Sequence, residues 1–307
     1  MAAIVTALCG ILNINKPAGI TSRTAVNRVQ RLVRPAKIGH AGTLDPLATG
    51  VLVVCVGRAT RLIPFVQQPP KVYRARFRLG FRSDTDDITG KVEPSDFDGV
   101  VSREDVAALL PQFQGRIEQV PPSFSAVRVE GRRAYALARK GKAVELTPRT
   151  VEVYRITLDE FAYPELALTI ECGSGTYIRS IGRDLGELLG CGAVMTELSR
   201  SRIGPFDLDD AISLDRFSDI DQGDVDAVRA MLQPPATAIG HLPTVVCDAR
   251  DVNTLANGLL ISAPASFDCE EGEFVAIMDG DGSLACIARY VVADCRLAPK
   301  HVFVAPA

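Results

Sequence analysis

Residues 39–50 read GHAGTLDPLATG, a short stretch with three glycines, a proline, a histidine and a single carboxylate. Gly39, Gly42 and Gly50, with Pro46, predict a sharply turning backbone that something approaches closely, because glycine reaches positive φ and proline fixes φ. The next residues, VLVVCV at 51–56, read as a short, fully apolar, buried strand. Asp45 therefore sits on an ordered loop leading into a core strand. From Lys16 to Arg82 there are thirteen Lys and Arg, and Asp45 is the sole acid, so an ordinary solvated surface charge is a poor reading. An aspartate in a turn commonly accepts a hydrogen bond from a backbone N–H two residues on. Spacing alone leaves that structural role and a chemical one both open.

The flanking pattern is mixed α and β. GILNI at 10–14 predicts a strand and NKPAG at 15–19 a turn. A helix should start near Ser22, with Ala25, Val26, Val29, Leu32 and Val33 on one face and Arg23, Arg28, Arg31 and Arg34 on the other. KVYRARFRLG at 71–80 alternates, placing Tyr73, Ala75, Phe77 and Leu79 opposite Arg74, Arg76 and Arg78. SREDVAALLPQFQG at 102–115 opens with a capping box and predicts a helix from about Ser102. Residues 121–150 form a basic, turn-rich insertion with a short helix expected over Ala134 to Lys140. Composition fits equally a lobe closing on a polyanion and a solvated hairpin. Strands VEVYRITL and LALTIEC, a GSG turn and a helix over TYIRSIGRDLGELLG follow. After about residue 205 come acidic helical stretches, then strands EFVAIM, LACIARYVV and HVFVAP, with a small domain expected from about residue 240.

With 47% hydrophobic and 23% charged residues, the chain of 307 can bury a substantial core, which excludes large-scale disorder. The first twelve residues, MAAIVTALCGIL, lack a basic n-region and read as a strand entering the fold rather than a signal peptide. No apolar run approaches the roughly 20 residues of a membrane helix. The eight cysteines stand singly, without a C-x-x-C pair, and His40, His241 and His301 show no ligand spacing. Reduced thiols in a cytosolic protein without structural zinc are expected. The net charge of −3 conceals an asymmetry: residues 111–150 carry eight basic and three acidic side chains, residues 205–307 six and seventeen. Local charge decides the choice of a polyanionic partner, so a basic first half keeps nucleic acid in play.

Several motifs then point one way. GHAGTLDPLATGVLVVCVGRATRL at 39–62 resembles the catalytic motif of the TruB family, the synthases that make pseudouridine in the T-loop of tRNA. GILNINKPAGITS, KVYRARFRLGFRSDTDDITG, PPSFSAVRVEGRRAYALARKG, GTYIRSIGRDLG and LSRSRIG are similar to further family motifs, in register over about residues 10–205. The resemblance implies an α+β pseudouridine synthase fold: a central mixed, largely antiparallel sheet flanked by helices. It divides the chain into a catalytic domain, 1–239, with an RNA-clamping insertion at about 121–150, and a small β-rich PUA-like domain, 240–307.

The resemblance also implies that Asp45 is the catalytic aspartate, paired with Arg179, whose guanidinium favours the ionised carboxylate when RNA excludes water. Tyr73 matches the tyrosine that stacks on the target base, Tyr177 and Leu198 match residues beside that base, and Lys16 matches a supporting lysine. His40 matches the histidine that enters the RNA loop. Breaking C1′–N1 and rejoining through C5 takes an oxygen nucleophile or base and no metal or cofactor. The implied partner is the T-arm of tRNA, with uridine 55 as target, for a monomeric cytoplasmic enzyme without an obligatory protein partner. Where the family commonly reads LRR this chain reads LSR at 198–200, and Ser199 removes one positive charge from the expected RNA path. With seventeen acids against six basic residues over 205–307, the acidic tail is expected to be structural at least as much as RNA-binding. Competing readings are an RNA-binding or tRNA-folding module, an aspartyl-phosphate phosphatase, which needs further metal-binding acids beside the nucleophile, and a synthase working inside a guide-RNA particle.

Overall fold

A computed structural model describes residues 8–305 apart from 125–127, 130–131, 134–145, 222–223, 265–266 and 268. The short helix expected over Ala134 to Lys140 and the start of the opening apolar stretch lie outside the described residues. Ten strands form the main sheet: β1 Gly10–Lys16, β2 Ile38–Ala41, β3 Thr49–Val56, β4 Lys71–Leu79, β5 Gly115–Gln119, β6 Arg149–Ala162, β7 Glu165–Cys172, β8 Ala193–Ile203, β9 Phe206–Asp207 and β10 Ile212–Ser213. Their order is β10-β1-β3-β8-β4-β7-β6-β5, with β2 on β3 and β9 on β8. Only β1–β10 and β3–β8 pair in parallel, so the sheet is mixed and largely antiparallel. With the helices, this is the α+β architecture expected.

The apolar run of β3 is explained by two cores. Leu52, Val54 and Val56 pack against Val26, Val29 and Leu32 of helix α1, Ser22–Val33, while Val51, Val53 and Cys55 meet Phe65, Val66 and Phe206 on the opposite face. Thr21 caps α1 by accepting from the Thr24 N–H at 3.0 Å. Strand β4 behaves as its alternation predicts, burying Ala75, Phe77 and Leu79 and exposing Arg74 and Arg78. Helix α2, Arg103–Leu109, carries the expected capping box between Ser102 and Asp105. Against the buried face of β4 lies α3, Ile178–Leu188, seated by Ile178, Ile181 and Leu185. A Cβ on Gly182 would stand 2.1 Å from the Phe77 ring, so this glycine sets how closely α3 meets the sheet.

Residues beyond the main sheet build a second one from β11 Thr244–Val246, β12 Ile261–Ser262, β13 Phe274–Met278, β14 Leu284–Val291 and β15 Arg296–Val302, in the order β11-β13-β14-β15-β12. The last strand begins at Arg296 rather than at His301. Composition hides it, because RLAPKH carries no β signature; pairing of Tyr290 with Leu297 and Ile261 with Leu297 recruits it, and Pro299 falls at a register shift. The second sheet docks through Phe274, edge-on to Phe65 at 4.9 Å. Arg58 donates to the Phe303 and Val304 carbonyls, and Arg61 to that of Val302.

Candidate active site

The loop between β2 and β3 is held from three sides. Ser22, at the start of α1, donates to the Leu44 carbonyl at 3.0 Å and accepts from the Leu44 N–H at 2.8 Å, so one hydroxyl satisfies both backbone groups of a buried residue. Lys16, fully buried at the end of β1, donates to the carbonyls of Pro17, Ile20 and Pro46. Burial pushes its ammonium down to about 8, with Asp45 opposing that shift. Arg200 of β8 donates to the Val51 carbonyl at 2.9 Å and the Gly42 carbonyl at 3.1 Å, tying the two ends of the loop together. Within the loop the Ala48 N–H closes a turn on the Asp45 carbonyl. Replacing Ser22 by alanine strands two buried backbone groups and should cost about 1–3 kcal/mol, read as a lowered urea midpoint at unchanged m-value.

So fixed, Asp45 presents its carboxylate to Arg179 of α3, Oδ2 to Nη2 at 2.9 Å; the guanidinium is 5% exposed and the carboxylate side chain 38%. Arg179 is itself clamped, donating to the carbonyls of Thr85 and Phe124 and lying 3.6 Å from Asp87. Asp87 is buried, and its Oδ1 accepts from Thr85 Oγ1 and from the N–H and hydroxyl of Thr89. The guanidinium therefore cannot swing away when the exposed face of Asp45 is occupied. Next to it, Arg183 pairs with Asp86 at 3.1 Å, and burial lifts the Asp86 carboxyl to about 6.

A cavity of about 410 Å³ opens at this pair, and its wall includes Asp45, Tyr73, Tyr177, Arg179, Leu198, Arg200 and Lys71. Tyr73 is half-buried; its hydroxyl lies 3.5 Å from Arg200 Nη1, whose guanidinium stands 5.9 Å from the ring centre. Burial raises the phenol, partly offset by Arg200. Tyr177 is held by its backbone, its N–H donating to Gln119 Oε1 and its carbonyl accepting from Gln119 Nε2. Five of the seven residues singled out from the sequence thus converge on one cavity. Lys16 lies beneath the loop and does not line it. Neither does His40, on β2, whose buried Nδ1 has no partner among the described residues and whose imidazole is lowered chiefly by burial and by Arg23. A larger groove of about 710 Å³ shares Leu198 but has none of the carboxylate, guanidinium and tyrosine groups of the Asp45 site in its wall. Among the described residues no cluster of His, Cys, Asp and Glu could hold a metal ion, and no helix is long and apolar enough to cross a membrane.

Sequence reading missed three members of this site. Lys71 and Arg200 were hidden among surface-like arginines, and Asp87 in an acidic loop, although Asp84, Asp86 and Asp87 directly after a basic strand were a usable signal. Three of the arginines of 74–82 meet acids: Arg76 pairs with Glu160 and Glu197, Arg78 with Glu165 and Arg82 with Glu187. These carboxylates come from distant strands and a helix.

Residues 30–178 match the model of the TruB family pseudouridylate synthase N-terminal domain, and residues 179–239 that of the tRNA pseudouridylate synthase B C-terminal domain. The chain belongs to the TruB family. A relative named tRNA pseudouridine synthase B from Dehalococcoides mccartyi (strain CBDB1) is 44% identical over 296 residues, 96% of each chain. One of the same name from Moorella thermoacetica is 40% identical over 91% of this chain and 93% of its own. Among solved structures, the archaeal box H/ACA sRNP Nop10-Cbf5 complex contains a chain that superposes with a TM-score of 0.73 at 26% identity, over 97% of this chain and 86% of that one. The Asp45 loop and strands β2 to β7 fall within the first family match, and Arg179, Leu198 and Arg200 within the second.

Proposed function

We propose that this TruB-family chain converts a uridine of tRNA to pseudouridine, with uridine 55 of the T-loop as its target and Asp45 as the reacting carboxylate. One observation carries the reading: a partly exposed carboxylate, held 2.9 Å from a buried and clamped guanidinium, at a cavity that also presents an aromatic ring and a leucine. The reaction breaks C1′–N1, turns the uracil and forms C1′–C5, with the C5 proton leaving for N1; substrate and product are isomers, so no redox partner enters. Asp45 supplies the nucleophile or base, and Arg179 holds it ionised and oriented. Tyr73 stacks on the base, while Tyr177 and Leu198 pack beside it. His40, kept neutral by burial, enters space left in the RNA loop, and Lys16 secures the Pro46 carbonyl.

A stacked uridine hides its glycosidic bond, so the target must leave the stack at a cost of a few kcal/mol, offset by stacking and phosphate contacts. The division into a catalytic domain, 1–239, with a clamping insertion at about 121–150, and a small domain, 240–307, belongs to this proposal. So does action as a single cytoplasmic chain, supported by likeness over nearly full length to relatives named as one enzyme. The test incubates purified protein with an unmodified tRNA transcript and maps pseudouridine by carbodiimide labelling. A T-loop signal is expected. A signal only elsewhere overturns the target, and none anywhere overturns the enzymatic reading in favour of a tRNA-folding module.

A further inference from the structure

Two lysines at the Asp45 loop are buried for different reasons. Lys16 spends all three ammonium protons on backbone carbonyls and does not line the Asp45 cavity. Lys71, at the start of β4, is only 7% exposed and lines the same cavity as Asp45. Its ammonium donates to Ser174 Oγ at 2.6 Å and to the Gln67 carbonyl, which leaves one proton uncommitted. Among the described residues it forms no ion pair with a carboxylate, and the Arg200 charge adds to burial in disfavouring its ammonium. A lysine is rarely buried without a countercharge. Here the missing charge has a place to come from, since the cavity in front of Lys71 is open.

Directly beside Lys71, which pairs in register with Cys172, is the turn Gly173–Thr176, between β7 and α3. Gly173 donates to the Glu152 carbonyl and accepts from the Thr176 hydroxyl, but among the described residues the N–H groups of Ser174 and Gly175 donate to no backbone acceptor. Gly175 has φ +89°, and nothing lies within 4 Å of where its Cβ would be. Successive free N–H groups in such a turn favour an anion. Burial pushes the lysine down to about 8, so a neighbouring negative charge would stabilise its protonated form.

We propose that Lys71, Ser174 and the 173–176 turn form a phosphate subsite that holds one backbone phosphodiester of the RNA next to the nucleotide placed at Asp45. It rests on the reading of the cavity as a site for an RNA uridine. The subsite clamps the strand in the same cavity as Asp45, so the target nucleotide is fixed through its own backbone while its base turns.

The test measures binding of T-arm RNA hairpins, each carrying one uncharged methylphosphonate at or within two nucleotides of the target uridine. Wild type and Lys71→Met are compared, with folding checked by circular dichroism. One analogue should weaken wild type about tenfold. That analogue should bind Lys71→Met no more weakly than the parent hairpin does, and the salt dependence of the variant should fall by about 0.7 in log–log slope. Should Lys71→Met not fold, Ser174→Asp replaces it: it changes an exposed residue, gives the ammonium a carboxylate, and should abolish the same coupling. Millimolar inorganic phosphate that competes equally well against every hairpin would reveal a free-anion site instead and overturn the assignment. Equal losses for every analogue in both proteins would also overturn it. The binding comparison stands whether or not pseudouridine forms. A wild type that modifies the hairpin without phosphate coupling refutes the subsite alone, and one that couples to a phosphate without reaction refutes the proposed reaction alone.

Discussion

Asp45→Asn should abolish pseudouridine formation while leaving tRNA affinity within about tenfold of wild type. The asymmetry follows from what each process uses. Asparagine preserves the shape of the side chain, and 38% exposure means that little packing is lost. Arg179 keeps its bonds to the Thr85 and Phe124 carbonyls and its pairing with Asp87, so α3 and the cavity stay in place. Phosphate contacts, which supply most of the affinity of a protein for RNA, do not use a carboxylate. The chemistry needs an electron pair that an amide does not offer, and losing a reacting group of this kind costs roughly four to six orders of magnitude. Single-turnover assays with excess protein separate the two effects, because they read the chemical step at saturation. Product formation by Asp45→Ala at a rate within a hundredfold of wild type would remove Asp45 from the reaction.

How much of this could be read in the chain beforehand depends on the range of the interaction. Local patterns carried through: the apolar face of α1, the alternation of β4 and the capping box at Ser102 each depend on residues a few positions apart. Their geometry is fixed by helix and strand periods. Motif resemblance supplied the long-range pairing of Asp45 with Arg179, which spacing alone left open. What stayed illegible is set by register between distant strands. In sequence Arg76 is one of three arginines on the polar face of an alternating strand; in the fold β4 runs beside β7 and β8, whose neighbourhood brings Glu160 and Glu197 to it. Such exposed pairs are worth about 0–1 kcal/mol each. Their consequence is for partner choice more than for stability, since they lower the free positive charge of that face.

Arg200 shows the same limit in reverse, and its removal should produce the largest loss of stability. In sequence it is one arginine among several in LSRSRIG; in the fold it is 2% exposed. Its guanidinium reaches the Gly42 carbonyl at the entry of the Asp45 loop, the Val51 carbonyl beyond its exit, and the Tyr73 hydroxyl from below. The backbone around it leaves no slack: Gly50 has φ +99°, and a Cβ there would lie 2.2 Å from the Arg200 carbonyl oxygen. Arg200→Met should destabilise the protein by about 2–4 kcal/mol, because two buried carbonyls lose their donor. It should also slow product formation about a hundredfold, the expected cost of a reacting group misplaced by about 1 Å. Arg200→Lys is the decisive comparison. It keeps the charge but replaces a rigid fork by a single ammonium that cannot span the three acceptors, so it should fall close to Arg200→Met in both urea midpoint and single-turnover rate. Lysine restoring both would mean that charge alone matters at this position, and that the Asp45 loop is shaped by Ser22 and Lys16 without the fork.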